Sequence, residues 1–331
     1  MAQRRRRRRS GLAALAVLVL ALVAVLVVAS RVSNDTGVRA SPHPALHHAP
    51  PGPQVTQLAP LPAAPSPQAP KSTPLIVKLV GPHNLVHPHF RRSPRSGVLF
   101  DLNSGRVLWR HAPIAPLPIA SLTKMMTALL VVRSAPPSAQ VRITRQALAY
   151  KGSAVGVLPR GKEVRVETLL NGLMLPSGND AAIALAQHVG GTVSHFVARM
   201  NETAARMGLR CTHFASPDGY NDAGRSCAAD LAVLARADLD EPRIARIARR
   251  RIAVEPLPIK GGKVYLFNNN PLIRLGYPGV DGLKTGFTLA AGHCLVATAR
   301  RHGVWLGAVL LNSPDTGRQA RQLLDQGFRI E

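Results

Sequence analysis

Aromatic residues are scarce in this chain: 2 Trp, 4 Tyr and 7 Phe make up 4% of 331 residues. A protein that stacks on unpaired bases needs more aromatic surface than that, which argues against single-stranded nucleic acid as a partner. Acidic residues are also few, 17 against 42 Lys plus Arg, for a formal net charge of +25. Residues 1 to 80 hold 10 basic and 1 acidic residue and the remainder 32 and 16, with no groove-reading motif, so no nucleic acid is expected. The basic surface suits anionic polymers or a membrane instead. Three cysteines exclude a disulfide-dense scaffold. Cys211 and Cys227 flank a turn region and are open to bridging or not, while Cys294 lies in an apolar strand and reads as a buried thiol. Lysine is much the rarer of the two basic residues, 8 against 34 arginines. Arginine supplies positive charge almost everywhere in this chain, so the few lysines draw attention: a lysine can give up its proton and an arginine cannot.

Carboxylates and cysteines are missing from around the histidines His43, His47, His48, His83, His87 and His89. Those histidines read as part of a solvated spacer rather than a metal cluster, and neither metal nor cofactor is expected. Arg4 to Arg9 precede an uncharged run from Ser10 to Ser30 rich in Leu, Val and Ala. Roughly 20 residues at ~1.5 Å each reach across a hydrocarbon core, and the arginines are expected to stay cytoplasmic. The reading is therefore a basic tail over 1–10, a single-pass membrane anchor over 11–30 and a Pro-rich extracytoplasmic spacer over 31–93. A catalytic domain would occupy 94–331. A cleaved signal peptide with a secreted domain is the alternative.

Within that domain, Ser96 to Arg110 reads as a hairpin turning at Asn103-Ser104-Gly105. Helical periodicity dominates from about Val166 to Ala237, notably Ala181 to Val189 and Val193 to Met207, with a turn at Ser216-Pro217-Asp218-Gly219. Val264 to Phe267, Cys294 to Ala299 and Val304 to Leu311 read as strands, and Pro314 to Phe328 as a closing helix. Strands at both ends around a helical block describe an α+β fold: an antiparallel sheet flanked by helices, with an inserted helical lobe.

The stretch Pro118 to Leu130 carries the chemistry. Pro118 is a plausible helix start, so Ser121 is expected in the first turn of a buried helix, with Lys124 three residues on and on the same face. A neutral lysine there can take the serine hydroxyl's proton. A serine three residues before a lysine is common by chance, and the pair gains meaning from two later features. Ser177-Gly178-Asn179 follows one apolar segment and Lys284-Thr285-Gly286 precedes another. In that order the three are the motif set of serine beta-lactamases and penicillin-binding proteins.

From about Ser96 to Phe328 the chain resembles the D-alanyl-D-alanine carboxypeptidases, the low-molecular-weight penicillin-binding proteins. The likeness extends to Asp101-Leu102-Asn103-Ser104-Gly105-Arg106-Val107-Leu108, Pro176-Ser177-Gly178-Asn179-Asp180-Ala181, Met207-Gly208-Leu209 with Thr212-His213-Phe214, and Gly279-Val280-Asp281-Gly282-Leu283-Lys284-Thr285-Gly286. It implies an active site between sheet and helical lobe. It also implies peptidoglycan stem peptides as substrate and beta-lactams as covalent inhibitors. Ser121 would be the nucleophile and Lys124 its base, with Ser177 relaying a proton to the leaving D-alanine and Asn179 holding the substrate amide. Lys284 and Thr285 would bind the terminal carboxylate beside Gly286. Lys124 must then fall from ~10.4 towards ~7 to 8, with burial and the charge of Lys284 as the expected causes. The family commonly has histidine where this chain has Phe287, which would serve the oxyanion hole through its backbone N–H, paired with that of Ser121. An endopeptidase, a beta-lactamase and a catalytically inactive wall-binding module are the alternatives. Glu167-Thr168-Leu169-Leu170-Asn171 superficially resembles a beta-lactamase deacylation motif, but it precedes Ser177 instead of following it.

Overall fold

The computed structural model describes residues 75–81 and 84–331. The arginine run, the apolar run Ser10–Ser30 and most of the Pro-rich spacer lie outside the described residues. Among the described residues no helix is long and apolar enough to cross a membrane.

Five antiparallel strands form the central sheet: β1 (Ser96–Asp101), β2 (Val107–His111), β3 (Val280–Thr288), β4 (Gly292–Arg301) and β5 (Val304–Leu311), in the order β2-β1-β5-β4-β3. The β1–β2 turn closes because the Asp101 carboxylate accepts the N–H and hydroxyl of Ser104, both at 2.6 Å, and Gly105 takes φ +71°. Every residue of β1 is buried because both sheet faces are covered. Side chains alternate: Val98, Phe100, Val296 and Val309 face the helical lobe, while Leu99, Leu295, Ala308 and Leu310 face the closing helix. The phenyl ring of Phe100 occupies the space that a side chain at Gly307 would fill on β5, with ring carbons 2.6 Å from that position.

The lobe is built from α1 (Lys124–Ser134), α2 (Val166–Met174), α3 (Asn179–Gly190), α4 (Val193–Arg206), α5 (Ala228–Leu239) and α6 (Pro242–Ala248), and α7 (Thr316–Ile330) closes the far face of the sheet. Helix α1 is buried from Lys124 to Val131, which is why its sequence is apolar all round. Glu167 on α2 pairs with Arg243 at 3.1 Å and Arg246 at 2.9 Å on α6, so it ties two helices together. Among the short segments that went unread in the sequence are α6 and the strand Ile252–Pro256 that pairs with Lys263–Phe267.

Two sequence expectations change. The domain begins earlier than residue 94. Leu75, Val77 and Leu79 pack on the main core, the backbone N–H of Lys78 donates to the Gly105 carbonyl at 2.9 Å, Val86 is buried, and Phe90 meets Trp109 edge-on at 5.8 Å. Scattered apolar residues among prolines and histidines gave no periodic signal for this edge segment. Pro118 is also not the helix start. It sits in a two-residue strand, Leu117–Pro118, paired with Arg225–Ser226, because Ala120 takes a left-handed φ of +48° and interrupts any helix beginning at the proline. Cys211 and Cys227 form a disulfide, and Cys294 is a buried free thiol. Replacing Phe100 by Ala should lower the unfolding free energy by ~3 to 5 kcal/mol in urea titration, since the ring is fully buried against backbone that cannot close the gap.

Candidate active site

A single turn of 3-10 helix, Ala120–Thr123, leads into α1. In a 3-10 turn residues three apart eclipse one another, which brings Lys124 Nζ to 3.0 Å from Ser121 Oγ. The same nitrogen lies 2.6 Å from Asn179 Oδ1 and 2.7 Å from the Asp218 carbonyl. Those two oxygens can only accept. A neutral amine has two N–H groups and one lone pair, so with both N–H groups committed its lone pair faces the one partner able to donate, the Ser121 hydroxyl. The geometry thus suits neutral lysine as acceptor of the serine proton.

Electrostatics act in the same direction. Lys124 is fully buried, and this desolvation pulls its amine down to about 7, against the opposing pull of the Asp218 and Asp180 carboxylates. Burial also holds Lys284 well below the usual lysine range, with repulsion from Lys124 adding to it. The sequence-based expectation that Lys284 depresses Lys124 is thereby recast: burial accounts for Lys124, and the repulsion between the two amines weighs on Lys284.

Asn179 is held from both ends. Its backbone N–H donates to Ser153 at 2.8 Å, and its side-chain amide donates to the Lys151 carbonyl. Asp180 fastens the same loop by accepting N–H groups from Val155 at 2.9 Å and Gly156 at 3.0 Å. Ser177 adopts φ +69°, a costly conformation for a serine, and its buried hydroxyl meets no protein partner among the described residues. A buried polar group left unpaired by the fold costs about 1 to 3 kcal/mol and marks a place where a ligand can bond.

On the sheet side, β3 is an edge strand and the motif Lys284-Thr285-Gly286 lies on it. Gly286 faces the turn at Ser121 so closely that a Cβ there would stand 3.1 Å from Ser121 N and 3.2 Å from Leu122 N. Lys284 donates to the Thr285 carbonyl at 3.0 Å. Thr285 and Phe287 stand on the same strand, without a side-chain hydrogen bond to the Ser121, Lys124 and Asn179 group among the described residues. The phenyl ring of Phe287, half-exposed, rests on His293 across the strands at 4.5 Å. The structure therefore joins Ser121, Lys124 and Asn179 directly and brings Gly286 against the same turn. Ser177 belongs to the Asn179 loop.

Sequence reading missed one element of this site. The segment read only as a turn, Ser216 to Gly219, supplies the carbonyl beneath Lys124, and the Pro217 carbonyl accepts from Thr127 Oγ1 at 2.6 Å. Gly219, at φ +75°, lies so near Ala120 that a side chain there would overlap the Ala120 carbonyl. Its signal was Pro-Asp-Gly, which announces a turn but not what the turn touches.

Known proteins resemble this chain in sequence and in fold. The profile of the D-alanyl-D-alanine carboxypeptidase family, peptidase S11, matches residues 85–315. This chain belongs to that family. It is 34% identical over 245 residues to the D-alanyl-D-alanine carboxypeptidase DacF of Bacillus subtilis, covering 71% of this chain and 62% of that protein. It is 35% identical over 242 residues to DacB2 of Mycobacterium tuberculosis, covering 70% of this chain and 81% of that protein. The chain thus spans about three-fifths of the length of the Bacillus relative. A solved carboxypeptidase from Mycobacterium tuberculosis superposes with a TM-score of 0.68 at 32% identity, covering 74% of this chain and 97% of its own. A solved variant of the Streptomyces K15 DD-transpeptidase gives 0.67 at 30% identity, covering 72% and 98%. The α+β architecture of antiparallel sheet and helices is common to these family members.

The amine of Lys124 should titrate near 7, observable as an NMR shift of its Cε resonance that Lys124→Arg removes. A midpoint in the ordinary lysine range would contradict the burial argument. Gly219→Ala should push the Asp218 carbonyl off the amine and slow acylation of Ser121 by a fluorescent penicillin at least about tenfold, the rate cost of roughly one displaced hydrogen bond.

Proposed function

We propose that this chain is a serine D-alanyl-D-alanine carboxypeptidase acting on peptidoglycan stem peptides. The reading is carried by the Lys124 amine, 3.0 Å from Ser121 Oγ and with its other two bonds on obligate acceptors. Ser121 Oγ would attack the carbonyl carbon of the penultimate D-alanine while Lys124 takes the hydroxyl proton. The C–N bond then breaks, and the proton passes through Ser177 to the leaving D-alanine. Water, deprotonated by the same machinery, would hydrolyse the ester and restore Ser121. The backbone N–H groups of Ser121 and Phe287 would hold the oxyanion. The side-chain amide of Asn179 would orient the substrate amide. An arriving carboxylate favours the charged form of Lys284, and that charge with the Thr285 hydroxyl would bind the substrate's terminus.

The Glu167 ion pairs with Arg243 and Arg246 tie that carboxylate to α6, which supports a carboxypeptidase over a beta-lactamase and predicts a long-lived penicillin acyl-enzyme. For location, the arginine run and the apolar stretch Ser10–Ser30 support a single-pass membrane anchor with the catalytic domain outside the cytoplasm.

Incubation with a stem pentapeptide ending in D-Ala-D-Ala, followed by mass spectrometry, should show loss of one alanine, and Ser121→Ala should abolish both this and penicillin labelling. Transfer of the acyl group to an added amine without hydrolysis would point to a transpeptidase instead. Since catalysis needs neutral Lys124, kcat/KM should rise with pH through about 7. Lys284→Ala should lower kcat/KM by roughly ten- to a hundred-fold through loss of one charge-assisted contact. Full activity of that variant would remove the carboxylate-binding role.

A further inference from the structure

The strand Ile252–Pro256 pairs with Lys263–Phe267 as a separate two-stranded ribbon. Its register sets Ile252 opposite Phe267 and Val254 opposite Tyr265, so these four side chains share one face. The opposite face, Ala253, Val264 and Leu266, is buried in the main core. The outer face is bare: Ile252 is 42% exposed, Val254 51%, Tyr265 52% and Phe267 63%. A contiguous apolar and aromatic stripe of this kind on a domain poor in aromatics marks an interaction surface.

Charge identifies its partner. Arg249 and Arg251 stand exposed at the Ile252 end, and Lys260 and Lys263 at the other end. None of the four has an ion pair with a carboxylate among the described residues. Lys263 Nζ lies 5.7 Å from the centre of the Tyr265 ring. The ribbon's single acidic residue, Glu255, is turned away and paired with Arg250 at 3.1 Å. An anionic wall polymer would engage these cations and leave Ile252, Val254 and Phe267 in water. A lipid surface satisfies both sets, with phosphates meeting the cations and the interfacial layer taking the aliphatic and aromatic side chains. We propose that this ribbon face docks the domain on an anionic membrane surface, lying in the headgroup layer without crossing it.

Residues 75–331 contain both hydrophobic cores, and solved relatives of nearly that extent are folded proteins, so this portion is suited to the test. It should co-sediment with vesicles containing phosphatidylglycerol and much less with pure phosphatidylcholine. Tyr265→Ser with Phe267→Ser should weaken binding roughly tenfold or more while leaving pentapeptide turnover intact. Lys260→Gln with Lys263→Gln, which leaves the apolar face untouched, should weaken binding to the anionic vesicles by roughly five-fold per lysine. Absence of binding to anionic vesicles, or binding by both double variants as tight as that of the unsubstituted protein, would overturn the proposal. So would a wild-type dimer in light scattering that Tyr265→Ser with Phe267→Ser dissolves while vesicles stay unbound, since the face would then belong to a second copy.

Discussion

Lys124 Nζ is removed from solvent on every side yet touches three oxygens, one each from its own turn, the first residue of α3 and the turn at Asp218. A charged amine in such a place carries a desolvation cost of several kcal/mol, and a neutral one escapes it. An amine so placed can accept a proton near neutral pH. Each surrounding segment bears the constraint. Ala120 takes a left-handed φ so that the chain can turn tightly into α1. Gly219 lacks the side chain that would collide with it, and Asp180 pins the loop at Val155 and Gly156, whose Lys151 and Ser153 carbonyls hold Asn179.

The sheet supplies the other wall because of its order. With β5 at the centre and β3 at the edge, one side of β3 is bonded to β4 and the other faces the helical lobe. An unpaired strand edge is a natural template for an extended peptide. Gly286 lets the strand approach the nucleophile's backbone to within van der Waals distance. The disulfide between Cys211 and Cys227 closes the segment that contains Asp218, so the carbonyl beneath Lys124 belongs to a covalently bounded loop. Such a cross-link limits how far that segment can wander in the unfolded chain.

Much of this was legible in the amino-acid order. The β1–β2 hairpin, the strand Val304–Leu311 and the helices α3, α4 and α7 followed from periodicity and turn chemistry, since each has a face that must be buried. Strand β3 was not read as a strand. Its sequence Val-Asp-Gly-Leu-Lys-Thr-Gly-Phe-Thr is glycine-rich and polar, because it is an edge whose inward residues serve the site rather than the core. The segment 75–93 was read as spacer for a related reason. Its few apolar contacts are made one at a time against a finished domain and leave no repeating pattern.

Local spacing determined that Ser121 and Lys124 would meet, because three residues make one turn. The ordered motifs pointed to Asn179 and Gly286, which the fold sets against that pair. The tertiary structure decided that Lys124 would be neutral enough to act, because only long-range packing removes its amine from water and sets the Asn179 and Asp218 oxygens against it. It likewise decided that Asp218 acts through its carbonyl and that Glu167 is a helix tie. Those roles depend on which segments lie opposite, and that information is spread over the whole chain.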